Sequence, residues 1–267
     1  MKLSDYRPHH AVRFLDSLAP KMAANSLMHG RALMSAIFSH AISDGRIDVN
    51  PIRDAKRRVE AKPSKPTPHY TNEEMAAILK VLTGQPQAQI ALSLGFHAGL
   101  RTAEISGLQW SDISEDWNTI TIRRSVWRTT SAPCKTDASQ APIPLMEPLR
   151  SMLRDFKATE TILAPEQHVL VNSVMHPLNL SALAWRVIRP ALKERGLLWK
   201  GFYAGRRGAG TRLYAINPQA AQGMLRHASL KTTEAFYVKT ISSATLEGMK
   251  RMEAEYSEAR DKQETVQ

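Results

Sequence analysis

The chain has 267 residues, 43% of them hydrophobic, which is enough for one large or two modest domains with apolar cores. Its 36 lysines and arginines against 25 aspartates and glutamates give a net charge of +11. That balance is typical of nucleic-acid binders, although basic proteins also bind membranes. The single cysteine, Cys134, excludes an intrachain disulfide and indicates a reducing, cytoplasmic setting. We expect no signal peptide and no membrane span, because the chain has neither an apolar leader nor a run of about twenty apolar residues.

The first 60 residues have the pattern of a small helical domain. Residues 11 to 45 read as two helices, and the second has apolar residues near a 3.6-residue period and stops at Gly45. Asn50-Pro51 then ends this unit. The apolar residues of the second helix are Leu27, Ala32, Leu33, Ile37, Phe38, Ala41 and Ile42.

A basic linker rich in proline follows, and we assign it to residues 61–70. Its prolines exclude a continuous helix. This linker and the residues before it form either a solvated tether or a segment that lies along a phosphate backbone. The candidate DNA contacts in this region are Arg53, Lys56, Arg57, Arg58, Lys62 and Lys65.

Residues 71–258 form the second predicted domain, which is mainly helical. Thr71 and Glu74 have the spacing of a capping box at a helix start. Polar and apolar residues alternate over 119–126, which predicts a strand that forms a small sheet with the loop of Lys135 and with residues 141–145. The fold class is therefore mainly α with a small β-sheet (α+β).

Two apolar stripes and a tail complete this domain. The residues of 180–191 place a stripe on one helix face, and 244–256 repeat that pattern. The polar end, 259–267, is a tail, and we expect disorder from Ser257 onward.

Four motifs in the second half of the chain contain groups that suit a phosphodiester. They are Gly99–Ile105, Arg206–Thr211, Leu225–Ser229 and Thr232–Tyr237, and they supply two arginines, a histidine and a tyrosine. Guanidinium groups match the oxygens of a phosphorane, and a tyrosine can form a covalent phosphoprotein. No histidine or cysteine spacing indicates a metal site.

The order of these motifs resembles that of the tyrosine recombinases, also called the phage integrase family, over roughly Thr67 to Glu258. One such motif is weak evidence, whereas three in the right order are specific. The resemblance implies that Arg101 and Arg206 clamp the scissile phosphate. It also implies that Glu104, one helical turn after Arg101, braces the site.

The remaining roles are carried over in the same way. Lys135 resembles the hairpin lysine that protonates the departing 5′ hydroxyl, and His227 resembles the histidine that hydrogen-bonds the scissile phosphate. Tyr237 resembles the nucleophile. The resemblance implies no metal, cofactor or ATP, because the covalent link conserves the energy of the phosphodiester bond.

The sequence departs from the family pattern at two places. The histidine of the family's His-x-x-Arg motif falls on Tyr203, whose phenol has an ordinary pKa of about 10 and exchanges protons poorly near neutral pH. We therefore expect weaker activity. Position 236 is a phenylalanine, so only Tyr237, ten positions after His227, preserves the nucleophile. Arg207, beside Arg206, is a further candidate DNA contact.

The resemblance also implies how the protein would assemble. Residues 1–60 are similar to a shortened core-binding domain, so we expect a two-domain, C-shaped clamp on double-stranded DNA, with four identical protomers on two DNA sites. The carboxy-terminal helix packs either on its own protomer or on a neighbour.

Two alternative functions remain open. Tyr203 and the short first domain favour a DNA-binding protein descended from such enzymes that has lost catalysis. A topoisomerase of the related covalent-tyrosine type would relax supercoils without a specific site.

Overall fold

A computed structural model of the chain describes residues 2–55, 68–127, 130–133, 140, 142–161, 164–226 and 243–265. The chain divides into two compact units, Met1–Thr67 and Pro68–Gln267. Both are dominated by helices, with short antiparallel strands in the second unit, so the predicted fold class is confirmed. The helices are α1 (Pro8–Leu18), α2 (Ala24–Ser43), α3 (Asn72–Val81), α4 (Pro86–His97), α5 (Thr102–Gly107), α6 (Leu149–Thr159), α7 (Leu180–Leu183), α8 (Arg189–Glu194), α9 (Phe202–Ile216), α10 (Pro218–Leu225) and α11 (Ser243–Thr265). The strands are β1 (Thr119–Thr121), β2 (Arg124–Trp127), β3 (Thr130–Pro133) and β4 (Pro142–Pro144).

The first unit is a pair of helices closed by the turn that follows them. Phe38 of α2 packs in a small core with Ala11 and Ile52. Arg31 Nη2 donates to the carbonyl of Ala55 at 2.8 Å, and Asn50 Nδ2 donates to the carbonyl of Ser35 at 2.9 Å. The polar side chains of α2 and the turn therefore fix the chain where the sequence predicted the end of the unit.

The apolar stripe predicted on α2 is only partly buried. Leu27, Phe38 and Ala41 are buried, whereas Leu33 and Ile37 are exposed. The two small apolar clusters of this unit, one around Phe38 and one around Leu27, cover only one side of α2, so the other apolar residues face outward.

The second unit begins with the predicted capping box. Thr71 Oγ1 accepts from the Glu74 N–H at 3.2 Å, and Glu74 Oε2 accepts from the Thr71 N–H at 3.0 Å, so two amides at the start of α3 are satisfied.

Helices α4 and α9 pack closely through glycines in the centre of this unit. A Cβ at Gly205 would lie 3.2 Å from the Phe96 amide nitrogen, and one at Gly208 would lie 2.5 Å from the Tyr70 carbonyl oxygen. A larger residue at position 205 would separate α9 from α4, and one at position 208 would separate α9 from the segment before α3. This close approach sets Arg206, between the two glycines, against the end of α4.

The strand predicted over 119–126 is wrong as a single element. Its first part, β1, pairs with β4, and its second part, β2, pairs with β3, so two separate two-stranded sheets form. The chain leaves the first sheet at Ile122, which is buried, and at Arg123, whose side chain binds Asp112. The burial of Ile122 and the contact of Arg123 with Asp112 change the direction of the chain between β1 and β2. The alternation of polar and apolar residues over 119–126 does not predict either of them.

The helix predicted around residues 180–191 is present but is not uniform. Ala184–Ile188 forms a π-helical turn between α7 and α8. The stripe residues Leu180 and Ile188 are buried, and Trp185 within the wider turn is exposed.

Helix α11 packs on its own chain, against α3 and α10. Met252 and Tyr256 are buried in the core of the second unit, and the Tyr256 ring meets the His97 ring edge-on at a centroid distance of 4.6 Å. The disorder predicted from Ser257 is wrong, because α11 continues to Thr265 and buries Ala259. None of the helices in the described ranges has both the length and the apolar character needed to cross a membrane.

We predict that His97 makes this unit sensitive to acid. Burial lowers the pKa of His97 to about 3, with a smaller contribution from Arg212. The folded state thus favours neutral His97, so its contribution is complete above the unfolded pKa of about 6.5 and is lost as pH falls toward 3. Between pH 7.5 and pH 5 the free energy of unfolding should fall by up to about 2 kcal/mol through this residue, as measured by urea denaturation.

The variant His97→Phe keeps a ring against Tyr256 and removes the titrating group, so its stability should change less over the same pH range. Exposed His176 provides the control, since His176→Gln should retain the pH dependence of the wild type. An unchanged pH dependence in His97→Phe would show that another group is responsible.

Candidate active site

Arg101 precedes α5 at a sharp change of chain direction. Gly99, before it, has φ of +65°, a conformation that favours glycine, and a Cβ there would lie 3.3 Å from Met224 Cε. The Arg101 N–H donates to Glu104 Oε2 at 2.8 Å, and Arg101 Nη1 donates to Glu104 Oε1 at 2.8 Å. Glu104 therefore both caps α5 and fixes the Arg101 guanidinium, and 37% of the Arg101 side chain stays exposed.

A second arginine binds the same carboxylate. Arg226, directly after α10, places Nη2 at 2.5 Å from Glu104 Oε2, and its side chain is fully buried. Burial alone would raise the pKa of the Glu104 carboxyl, but Arg226 first, and then the Arg101 N–H and guanidinium, hold that pKa below its ordinary value. Glu104 is therefore ionised and bridges α5 to the end of α10.

Arg206 lies in the middle of α9 and is almost completely buried, with 2% of the residue exposed. Its Nη1 donates to the Gly99 carbonyl, and its Nη2 donates to the Leu225 carbonyl at 2.5 Å. Burial, followed by the nearby charge of Arg101, lowers the pKa of Arg206 to about 10, so the group is still cationic at neutral pH. Arg206 thus binds the two chain segments that Glu104 also joins.

Tyr203 lies one turn before Arg206 on the exposed side of α9. The residue is 47% exposed, and the Arg207 guanidinium lies over its ring at 5.1 Å from the centroid. Both residues line a groove of about 660 Å³ that Arg206 also reaches. Arg207 is further held by the Pro68 carbonyl, which accepts from Nη1 at 2.8 Å.

A buried carboxylate connects this site to the β2–β3 hairpin. Asp112 accepts from Arg124 Nη1 at 2.6 Å and from Arg123 Nη1 at 3.0 Å, and Arg124 Nη1 also reaches the Gly107 carbonyl at 3.3 Å. Strand β2 therefore lies against the end of α5, the helix that Arg101 and Glu104 begin. Strand β3 leads toward Lys135.

The structure brings together three of the predicted site residues, Arg101, Glu104 and Arg206, although the last is distant in sequence. Tyr203 and Arg207 lie beside Arg206, and Arg53 is exposed in the first unit. The predicted residues outside the described ranges are Lys56, Arg57, Arg58, Lys62, Lys65, Lys135, His227 and Tyr237. Within the described ranges, no group of three or more His, Cys, Asp or Glu residues could hold a metal ion.

Sequence reasoning missed Arg226, Asp112 and Arg124. Arg226 stood inside a recognised motif, but nothing in that motif indicates that its side chain turns inward to Glu104. Asp112 ends a short 3-10 helix, Trp110–Asp112, and its contacts with Arg123 and Arg124, which lie further along the chain, are not indicated by its local sequence.

Three comparisons with known proteins identify the family and the fold of the chain. The model of the phage integrase family matches residues 69–242. A XerC-like tyrosine recombinase of Caldanaerobacter subterraneus subsp. tengcongensis is 21% identical over 238 residues, which cover 78% of this chain and 60% of the relative. The chain thus spans about 60% of that relative's length.

Solved structures with low sequence identity share the fold. The integrase of transposon Tn1549, in complex with a circular intermediate DNA, matches with a TM-score of 0.71 and 16% identity over 94% of this chain and 86% of that one. A lambda integrase dimer bound to a core site matches with a TM-score of 0.59 and 22% identity over 87% and 84% of the two chains. Because the family model covers more than half of the sequence, this chain belongs to the phage integrase family.

We predict that Asp112 stabilises the second unit. In Asp112→Asn the buried anion is lost while Arg124 stays largely buried, so the free energy of unfolding should fall by about 2–4 kcal/mol, as measured by urea denaturation. The matched control is Asp155→Asn on the exposed face of α6, which should stay within about 0.5 kcal/mol of the wild type. Equal stability of the two variants would contradict this role.

Proposed function

We propose that this protein is a site-specific DNA recombinase that cleaves and rejoins DNA through a 3′-phosphotyrosine intermediate. The observation that carries the proposal is that Arg101 and Arg206, which are 105 positions apart in the sequence, lie in one cluster. Arg226, which directly precedes His227, belongs to the same cluster. Membership of the phage integrase family supports the same reading.

The cluster is suited to an anionic ligand. Arg101 is close enough to Arg206 to lower the pKa of Arg206. A guanidinium has five N–H donors, so each of the two arginines retains donors beyond its protein contacts. A phosphodiester would relieve the repulsion between the cations. As its phosphorus becomes pentacoordinate, the added negative charge would be stabilised by preorganised donors, usually a large part of catalysis.

In the proposed reaction, the Tyr237 phenol gives up its proton to solvent and its oxygen bonds to phosphorus while the bond from phosphorus to the 5′ oxygen breaks. Lys135 gives a proton to that leaving oxygen, and His227 donates to a non-bridging oxygen. Attack by the free 5′ hydroxyl of another strand reverses these steps and completes the exchange. No ATP or metal takes part in this scheme.

We further propose double-stranded DNA as the partner and four identical protomers on two DNA sites as the active assembly, in the cytoplasm. The solved relatives support this arrangement, since they include a lambda integrase tetramer bound to a Holliday junction, with a TM-score of 0.60. The net charge of +11 supports salt-sensitive affinity for DNA. In the first unit, Arg53 and the basic residues that follow it are the proposed backbone contacts.

The test for the nucleophile is covalent trapping on a library of nicked duplexes, read on a denaturing gel. Wild-type protein should give a DNA-shifted band, and Tyr237→Phe should give none, because phenylalanine has no oxygen to attack phosphorus. The control is Tyr214→Phe, which changes a tyrosine on α9 that is 64% exposed and should leave the band unchanged.

Adding Phe236→Tyr to Tyr237→Phe should not restore the band, since the phenol would stand one position from the proposed nucleophile. Tight DNA binding without a band from any variant would instead support the non-catalytic DNA-binding protein, which Tyr203 in the family's histidine position favours. Relaxation of supercoiled plasmids of unrelated sequence would favour the topoisomerase.

We predict that Tyr203→His increases the rate of cleavage. An imidazole with a pKa near 6.5 exchanges protons at neutral pH far better than a phenol with a pKa near 10, so the single-turnover rate should rise by about tenfold. The pH–rate profile of Tyr203→His should also differ from that of the wild type near pH 6.5, because a second imidazole joins His227 in the site.

The matched control is Ala215→His, which introduces the same group at an exposed position of the same helix that does not line the groove, and it should not alter the rate. If both variants cleave like the wild type, position 203 does not take part in the reaction.

A further inference from the structure

Arg226 has a backbone conformation that arginine rarely adopts. Its φ of 50° and ψ of 46° are left-handed, as is common just after a helix, where glycine usually occupies the position. A side chain larger than glycine is strained there, so its presence indicates that the side chain itself contributes something.

The Arg226 side chain is fully buried and ends on Glu104. Its Nη2 lies 2.5 Å from Glu104 Oε2, while Glu104 Oε1 accepts from Arg101 at 2.8 Å. One carboxylate therefore serves two guanidiniums, one enclosed and one partly exposed. Arg206 adds a third cation to the same cluster.

These charges set how strongly the cluster can attract a phosphate. With Arg101, Arg206 and Arg226 against Glu104 alone, the formal charge of the cluster is +2. Without Arg226 it would be +1, and Glu104 would pair with Arg101 only, which would weaken the cation that faces solvent. Arg226 also ties the start of the segment that contains His227 to α5.

We propose that Arg226 is a positioning residue for DNA cleavage, which takes up part of the Glu104 charge so that Arg101 retains its positive charge for the scissile phosphate. This inference rests on the proposed function. It assigns to Arg226 no contact with DNA, and it explains why an arginine occupies a position that suits glycine. The depressed pKa of Glu104, for which Arg226 is the largest lowering influence, agrees with it.

The test uses the duplex recovered from the covalent adduct in two forms, one with the natural scissile phosphate and one with a methylphosphonate, which lacks the negative charge. Arg226→Gly fits the left-handed backbone and removes the cation. On the phosphate it should slow single-turnover cleavage by about thirtyfold, less than the loss of about a hundredfold or more expected for a donor that contacts the reacting oxygen, because Arg226 acts through Glu104. On the methylphosphonate the loss should shrink to less than about threefold, because the substrate is neutral and its phosphorane has one negative charge fewer for Arg101 to hold.

Two further variants examine the charge balance. Arg226→Lys should recover part of the rate, since it restores a cation near Glu104. The pair Glu104→Gln with Arg226→Gly should be less impaired than the two single losses multiplied together, because both charges of the ion pair are removed at once. The control is Arg212→Met, which removes an arginine of α9 whose Cζ lies 3.8 Å from the centroid of the Phe96 ring. This variant should slow cleavage of both substrates by the same factor.

The outcomes separate the inference from the proposed function. Wild-type rates in Arg226→Gly, or an equal loss on both substrates, would overturn the role of Arg226 and leave the recombinase proposal intact. Absence of any adduct from the wild-type protein would overturn both.

Discussion

The second unit depends on one buried carboxylate. Glu104 accepts hydrogen bonds from the Arg101 N–H at the start of its own helix, from the Arg101 guanidinium and from the Arg226 guanidinium. Its two oxygen atoms therefore accept three hydrogen bonds. A carboxylate removed from water is unfavourable unless it is paired and fully hydrogen-bonded. Here the pairing is complete, and it joins α5 to the end of α10 across a long stretch of sequence. The position of the arginine cluster follows from that pairing.

Close helix packing brings the third arginine to the same place. Gly205 lets α9 approach the main chain of Phe96, and Arg206 then reaches the carbonyls of Gly99 and Leu225. The cluster is therefore assembled by the core before any DNA is present. Such preorganisation is costly, because burial first and then the charge of Arg101 lower the pKa of Arg206, and an anionic ligand would relieve the repulsion between the two cations.

Much of this arrangement was predictable from local patterns, and the rest was not. The capping box at Thr71 and the helical second unit follow from short-range spacing, and the order of the motifs indicated Arg101, Glu104 and Arg206. The split of 119–126 into two sheets was not predictable, because Asp112 draws Arg123 away from the first sheet through a contact between separate segments. Arg226 was missed for the same reason, since its partner lies far away in sequence. The helical end of α11 was also unexpected, because a polar composition does not reveal the burial of Ala259.

The contacts of Arg206 also bear on how such a site can change over evolutionary time. Its two acceptors are main-chain carbonyls, and every amino acid has one, so substitution at positions 99 or 225 alters the backbone conformation but never deletes the acceptor. Selection can therefore maintain this arginine while neighbouring side chains drift. Such tolerance of side-chain substitution is consistent with the low sequence identity to proteins that share the fold, which is 22% for the lambda integrase and 16% for the Tn1549 integrase.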